Sequence, residues 1–548
     1  MATLNWIGKD KVINHHLDVP FRTLKHKYTY KNGKKSTDGT TSQNKIIHGD
    51  NLEALKSLLP EYEGRIKCVY IDPPYNTGNE GWVYNDNVNH PKIKKWLGQI
   101  VGKEGEDLSR HDKWLCMMYP RLKILSKLLR KDGVIFVSID DNEFASMSFL
   151  LKEIFGDSTN KHLATFIWKS SGNFDNQAKV KINHEYILAY SKNVSSLPLP
   201  PVIDPNIDES SKLFRPTIRN TIVKNGPKNP ASWIELPAGF PSSIDTGSIK
   251  MRDDIWPHYS SDVTIASNKT VGSVQAYSGW SSKNLLFKFI NNRLEPIKDT
   301  KGQVTKFEIS KTGAIEVVKT RAEDQSYVLS VLENMGNVQS TSSDLSQKGI
   351  KFDYPKPPNL VEYLISLFTA NDDIILDSFA GTGTTAIATL ALNRKENTDR
   401  SFILIELEDY AENITSKRVI TEIKNHKKNI SFEFLLLGEP LFDKEGYINE
   451  DQSIENIRKY VYHSETRTNV GYSENPKNDY YLGKRSGTAY YFYYRKKSIT
   501  SLDLNFASQI CIKADQYIAY ADKCALSEQY MKKNKIIFKK IPRDITRV

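Results

Sequence analysis

Four short apolar runs rich in β-branched residues constrain this chain more than any other feature. They are IKCVYI (66–71), GVIFVSID (133–140), DIILDSF (373–379) and SFILIEL (401–407). A strand that is apolar at nearly every position is covered on both faces, the condition of a parallel strand between helices. Helix-period stretches lie between and after the runs. From His111 to Arg130, the residues Leu115, Met118, Leu122, Leu125 and Leu129 fall on one stripe. Asn142 to Phe155 is a second amphipathic helix, stopped by Gly156, and further helices are predicted over 359–369, 384–394 and from Asp409 to about Asn425. ATFIWK (164–169) and HEYILAYSK (184–192) add two strands. The alternation predicts an open α/β sheet.

The runs fall into two groups. Between them, from about 195 to 335, lies a stretch rich in Pro, Ser, Asn and Thr that carries Trp233, Trp256 and Trp280 and has no sustained period. It is predicted to be an inserted module of short strands and loops. The chain divides accordingly into an irregular N-terminal arm (1–44), a first α/β half (45–194), the insert (195–335), a second α/β half (336–428) and a separate C-terminal part (429–548). That part carries a Tyr-rich strand (Tyr490 to Arg495) and a βαβ-like stretch, an α+β extension with a basic end. A length of 548 residues leaves room for these units.

Composition excludes several classes. No run of eighteen apolar residues is present, the N-terminus lacks the apolar stretch of a secretory signal, and the four cysteines show no zinc-knuckle spacing. The chain is expected to be cytoplasmic, without membrane association or a bound metal. The formal charge of +11 fits a nucleic-acid partner, whose phosphates Lys and Arg neutralise, and equally a solubility margin.

Asp72-Pro73-Pro74-Tyr75 follows the first apolar run, at the carboxyl end of a strand, where open α/β sheets hold their ligands. Two prolines stiffen the turn and remove two backbone donors, leaving carbonyls free to accept. A carboxylate beside a carbonyl complements an NH2 group, and Tyr75 adds a flat face for stacking. The four residues therefore describe a pocket for the exocyclic amine of a nucleobase. They also fit a simple proline turn with Asp72 in solvent.

Asp377-Ser378-Phe379-Ala380-Gly381-Thr382-Gly383-Thr384-Thr385 joins a buried strand to a helix. Its glycines permit a tight turn and close approach of a ligand to backbone. No P-loop lysine is present. Glu406, 25 residues after Gly381, ends the next strand, where an acid commonly holds ribose hydroxyls. This layout fits an adenosine-containing cofactor. Lys356, between prolines in Tyr354-Pro355-Lys356-Pro357-Pro358, could pair with a ligand carboxylate or stand in solvent. Asp50 in His48-Gly49-Asp50-Asn51 could bond an adenine amine or cap the helix Leu52 to Leu59.

In this order the segments resemble the DNA amino-methyltransferases of the β arrangement. There the DPPY segment comes first, a recognition domain is inserted, and the FxGxG turn follows. Here Asp72 precedes Asp377 by 305 residues. The closer resemblance is to the modification subunits of type III restriction–modification systems. It is carried by IIHGDNLEALKSL, YIDPPYNTGNEGWVYND, WLCMMYPRLKILSKLLRKDGVIFVSIDDNE, LLKEIFGD, HEYILAYSK, YPKPP and LDSFAGTGTTA, and covers residues 46–192 and about 350–425.

The resemblance implies a circularly permuted, Rossmann-like sheet of seven strands with S-adenosylmethionine at its carboxyl edge, an inserted target-recognition domain, and methyl transfer to adenine N6 in duplex DNA. It implies that Asp72, Pro73, Pro74 and Tyr75 hold the flipped base. Asp377, Phe379, Gly381, Gly383 and Thr384 line the cofactor turn, Glu406 takes the ribose, Asp50 the adenine end and Lys356 the methionine carboxylate. Ser378 departs from the wider family, which often has Pro or a bulky residue there. Implied partners are double-stranded DNA, a restriction helicase–nuclease subunit and a second copy of the chain. The alternatives are a recognition subunit in which methylation is secondary, and an amino-methylase of cytosine N4 or of RNA. Arg215, Arg219, Asn220, Lys224, Asn225, Lys228, Arg252, Asn268, Lys269, Gln275 and Lys283 in the insert are candidate readers of the DNA sequence.

Overall fold

The computed structural model of the chain describes residues 4–77, 110–170, 179–300, 302–320, 325–352, 354–424, 429–468 and 479–543. The stretch after Thr77 that carries part of the family resemblance, the helix end at Asn425 and the tail from Asp544 lie outside them. Two compact units are present, one from the chain up to Val202 and from Val328 onward, the other Ile203–Tyr327.

The first unit is built on one sheet. Its strands are β1 (Arg22–Lys31), β2 (Lys34–Ser36), β3 (Lys45–His48), β4 (Ile66–Ile71), β5 (Leu129–Ile139), β6 (His162–Lys169), β7 (His184–Ser191), β8 (Val331–Leu332), β9 (Ile374–Asp377), β10 (Ser401–Glu406) and β11 (Phe432–Pro440). They lie in the order β8-β6-β7-β5-β4-β9-β10-β3-β11-β1-β2. β5, β4, β9, β10, β3 and β11 run parallel; β7 is antiparallel to both β5 and β6. All six residues of β4 and all six of β10 are buried. Burying an Ile, Leu or Val side chain contributes about 1.5–3 kcal/mol, so such a run belongs in the interior.

Alternate residues of the central strands enter two different cores. Val69, Ile71, Ile135 and Val137 pack with the helices Asn51–Tyr62, Arg110–Leu128 and Phe144–Phe155. Cys68, Tyr70, Val134 and Phe136 pack on the opposite face with the helix Pro358–Ser366. The result is an α/β fold of three layers. After β4 the chain moves outward to β5; after β9 it moves the other way, to β10. The two connections diverge between neighbouring strands, and such a divergence opens a crevice at the strands' carboxyl ends. Asp72 follows β4 there, and Asp377 ends β9.

Several expectations change. Among the described residues the sheet has eleven strands, where seven were expected. The N-terminal arm is not irregular throughout its described residues: β1 pairs with β11 and carries Tyr28 and Tyr30 into a core with Phe432 and Phe434. The tail is not separate from residue 429, because β11 belongs to the main sheet. Beyond it, the helix Ile454–Thr466 is tied to the helix Asn51–Tyr62 region by Lys459–Glu61 at 2.9 Å and His463–Glu63 at 2.5 Å. A four-stranded sheet (Tyr481–Arg485, Thr488–Phe492, Gln516–Ala521, Ile536–Lys540) completes this part. β5 begins at Leu129, two residues before Lys131, since Leu129 is drawn into the core as a strand residue.

The second unit has its own core, including Ile234, Phe240, Phe289 and Phe307, under small antiparallel sheets and the helix Lys283–Asn291. Among the described residues, no helix is long and apolar enough to cross a membrane.

Candidate active site

The loop after β4 is held from several sides. Trp114 donates its indole N–H to the Pro74 carbonyl at 2.7 Å. Asn76 adopts a left-handed conformation (φ 58°), and its amide donates to the buried carboxylate of Glu143 at 2.5 Å. His111 meets the same carboxylate at 2.7 Å. This fixes the course of Asp72 to Asn76 before any ligand is present.

Asp72 is paired inside the site. The Lys356 ammonium lies 3.0 Å from its carboxylate and 3.4 Å from that of Glu185. The Tyr75 hydroxyl donates to Glu185 at 2.8 Å, and the ammonium sits 4.7 Å from the centre of the Tyr75 ring. Burial raises the Asp72 pKa, the Lys356 charge opposes the rise, and Glu185 adds to it. Burial likewise raises Tyr75 well above the usual phenol range.

The turn after β9 is equally determined. One Asp377 oxygen accepts from the Phe379 N–H at 2.9 Å and the other from the Thr385 hydroxyl at 2.5 Å. Gly381 (φ 53°) and Gly383 (φ 80°) are both left-handed, which is why glycine stands at each. The Gly381 N–H donates to the Glu406 carboxylate at 2.7 Å and the Glu408 N–H donates to it at 3.0 Å. Thr415 donates to the Gly381 carbonyl at 2.6 Å, and buried Arg418 holds Thr384 at 3.1 Å. Burial pushes both Asp377 and Glu406 up to about 7, against the hydrogen bonds each accepts.

Both turns line one cavity of about 400 Å³. Asp72, Pro73, Pro74, Tyr75, Lys356, Asp377, Phe379, Gly381, Thr384 and Glu406 all reach it. Two expected residues do not. Gly383 sits behind the turn as the N-cap of the helix Thr384–Glu396. Asp50 caps the helix Asn51–Tyr62, accepting from the Leu52 and Glu53 N–H groups, and approaches Arg121 at 3.5 Å. Of its two possible roles the structure displays the cap. Lys356 also differs from expectation. It lines the cavity, but its ammonium is engaged by Asp72 and Glu185, because two buried carboxylates are its strongest available partners.

Sequence reasoning missed Glu185, Asn51 and Arg121. Arg121 donates to the Asn51 side chain at 2.5 Å, and Asn51 donates to the Ser378 carbonyl at 3.0 Å, which ties the HGDN segment and the helix Arg110–Leu128 to the glycine-rich turn. Asn51 adjoins Asp50 in the HGDN segment, and Glu185 is an acid at the head of an otherwise apolar strand. Those were the available signals.

The lining fits an adenosine-containing cofactor. Glu406 supplies carboxylate acceptors, Phe352, Phe379 and Tyr410 supply aromatic surface, and the buried Ser378 hydroxyl has no partner among the described residues. A thiol nucleophile is not at hand. Cys68 and Cys116 are buried in a strand and a helix, and burial raises both, Cys116 to about 11.

The two turns meet on one cavity at the carboxyl edge of an α/β sheet. The chain belongs to the DNA methylase family, whose profile matches residues 66–417. It is 32% identical over 431 residues to the type III restriction–modification enzyme EcoPI Mod subunit of Escherichia phage P1, covering 74% of this chain and 64% of that one. It is 29% identical over 447 residues to the EcoP15I Mod subunit of Escherichia coli, with the same coverage. The chain thus spans 64% of the length of these two relatives. Among solved structures, the cytosine-N4-specific PvuII DNA methyltransferase is similar at a TM-score of 0.31 and 14% identity, covering 70% of this chain and 93% of that one.

Proposed function

We propose that this chain transfers a methyl group from S-adenosylmethionine to the exocyclic N6 of adenine in duplex DNA, as the modification and recognition subunit of a type III restriction–modification system. The reading is carried by the single cavity lined by both the Asp72–Tyr75 turn and the glycine-rich turn. Similarity to the two Mod subunits supports the type III assignment and assembly with a restriction subunit. The chain is a circularly permuted arrangement, with Ile203–Tyr327 as a target-recognition insert and the part after Pro440 contacting DNA phosphates or a partner.

The bound cofactor supplies an electrophilic sulfonium methyl group. Glu406 accepts from the ribose hydroxyls, and Asp377, Phe379, Gly381 and Thr384 form the surrounding wall. A base inside a duplex cannot reach this cavity and is flipped out. Tyr75 stacks on it. Asp72 and the Pro73 carbonyl accept the amine hydrogens, which returns electron density to a nitrogen whose lone pair is otherwise delocalised into the ring. The acceleration comes from position and fixed electrostatics. The preference for adenine follows from family resemblance at Asp72.

The test is incorporation of tritiated methyl groups into plasmid DNA free of adenine methylation, followed by methylation-sensitive sequencing. N6-methyladenine at a defined sequence is expected. Absence of transfer, or methyl groups on cytosine alone, would overturn the reading.

A further inference from the structure

Three charged side chains from distant segments meet on the base side of the cavity: Asp72 after β4, Glu185 at the start of β7, and Lys356 before the helix Pro358–Ser366. One ammonium faces two carboxylates, at 3.0 Å and 3.4 Å. The arrangement poses a chemical difficulty. An ammonium bonded to Asp72 occupies lone pairs that the incoming amine needs, and it withdraws negative charge from the acceptor. Yet a buried ammonium cannot be left without a counter-charge, because removing one partner of a buried pair is strongly unfavourable.

We propose that Glu185 is a positioning residue for methyl transfer, which takes Lys356 over from Asp72 when the target amine arrives. This inference rests on the methyl-transfer reading above. The geometry equips Glu185 for that task. It is already within reach of the ammonium, so the exchange needs a shift shorter than a covalent bond. Its backbone is held in β7, which is paired on both sides, with Tyr186 opposite Ile139 and Glu185 opposite Trp168. The Tyr75 hydroxyl donates to Oε2 of its carboxylate, the same oxygen that faces the ammonium. The base-stacking residue and the alternative counter-ion are therefore one hydrogen-bonded unit, and the base that touches Tyr75 enters where the exchange takes place. Lys356 keeps a carboxylate partner throughout, and Asp72 becomes a full acceptor only when an amine is there to use it.

A purely structural Glu185 and an exchanging Glu185 differ in one readout. In the exchange, Glu185→Gln leaves Lys356 on Asp72 and the ammonium itself becomes the inhibitor, so removing Lys356 as well should restore activity. Single-turnover transfer of tritiated methyl groups to plasmid DNA free of adenine methylation, with the full chain at saturating cofactor, separates the cases. Glu185→Gln is expected to slow transfer about ten- to a hundredfold, a range typical of a disturbed reacting geometry. Glu185→Asp should fall between it and the wild type, and Glu185→Gln combined with Lys356→Met should be faster than Glu185→Gln alone. Cofactor binding by calorimetry confirms that each variant is folded. A Glu185→Gln chain as fast as the wild type, or a double variant slower than Glu185→Gln, overturns the inference while leaving the methyl-transfer reading intact. A wild type without transfer overturns both.

Discussion

The Trp114 indole and the Pro74 carbonyl form a 2.7 Å hydrogen bond between the helix Arg110–Leu128 and the loop after β4. It ties down the second carbonyl of the proline pair and leaves the first as the acceptor assigned to the base. Trp114→Phe keeps most of the ring volume and removes the donor. A buried carbonyl left unsatisfied costs about 1–3 kcal/mol. The expected result is a lower urea midpoint and at least roughly tenfold slower methyl transfer with little change in cofactor affinity. Equal loss of both functions would mean that the bond only stabilises the fold.

Asp72 stands on the base side of the cavity, so Asp72→Ala should abolish transfer while cofactor binding survives. A loss of at least about a hundredfold is expected for a fixed electrostatic contact to the reacting group. Lys356 retains Glu185 in this variant, which limits the damage to folding. Calorimetry and methyl incorporation, measured separately, check the split. At Tyr75 the ring matters more than the hydroxyl: Tyr75→Phe should stay within about threefold of wild type, and Tyr75→Ala should lose at least about tenfold, because stacking contributes roughly 1–3 kcal/mol per base.

Much of this site was legible because its two turns are local. DPPY and the 377–385 turn each carry their chemistry in consecutive residues, and the strands before them are apolar on both faces. Glu185 was not legible: its partners Asp72 and Lys356 lie far away in sequence, and only the folded sheet brings the three together. Asp50 was ambiguous because one carboxylate can cap a helix or bind a ligand, and spacing does not distinguish these. β1 escaped because it is a lysine-rich, half-exposed strand next to the sheet edge, whose burial of Tyr28 and Tyr30 depends on Phe432 and Phe434 some four hundred residues on.

The raised pKa of Glu406 gives cofactor binding a pH dependence. The group sits at about 7 because burial disfavours its charge, with Glu408 and Asp377 adding to the rise and the N–H groups of Glu408 and Gly381 opposing it. Ribose hydroxyls donate best to the ionised form, so binding favours loss of the proton. Affinity for S-adenosylmethionine should rise with pH through about 7 and level off above it, by at most about tenfold per pH unit for one proton. Stability moves the other way. The folded group keeps its proton where the unfolded group, near 4.5, has lost it, so its contribution falls as pH rises from 4.5 to about 7. Glu406→Gln should flatten the affinity profile, as calorimetry at several pH values would reveal.

At Gly381 a built Cβ would meet only Phe352, at 3.5 Å, an ordinary contact. The obstacle to a side chain there is the backbone angle of φ 53°. Gly381→Val should therefore weaken cofactor binding by distorting the turn, including the N–H that holds Glu406. Gly381→Asn, which tolerates the left-handed region, should weaken it less. Equal losses in the two variants would place the cause in bulk and not in backbone strain.

Choice of the DNA site is predicted to lie in the unit Ile203–Tyr327. Several of its polar residues are committed internally. Arg219 pairs with Glu308, Arg252 donates to the carbonyls of Pro257, Thr312 and Gly313, the Asn225 side chain accepts from the Gly279 N–H, and Lys283 donates to Ser232. Replacing these should cost stability and leave the recognised sequence unchanged. Arg215, Asn220, Lys224, Lys228, Lys269 and Gln275 are exposed and remain as readers. A good bidentate base contact is worth about 1–3 kcal/mol of discrimination, so a few of them suffice for a defined site. The unit is suited to transplantation because its two ends meet: Ile203 bridges to Tyr327, and the Asp204 N–H donates to the Tyr327 carbonyl at 2.9 Å. Grafted between those points into a relative of different specificity, it should carry its own site with it, as a genome-wide map of methylated adenines would record. An active chimera that still methylates the recipient's site would move the reading function to the part after Pro440.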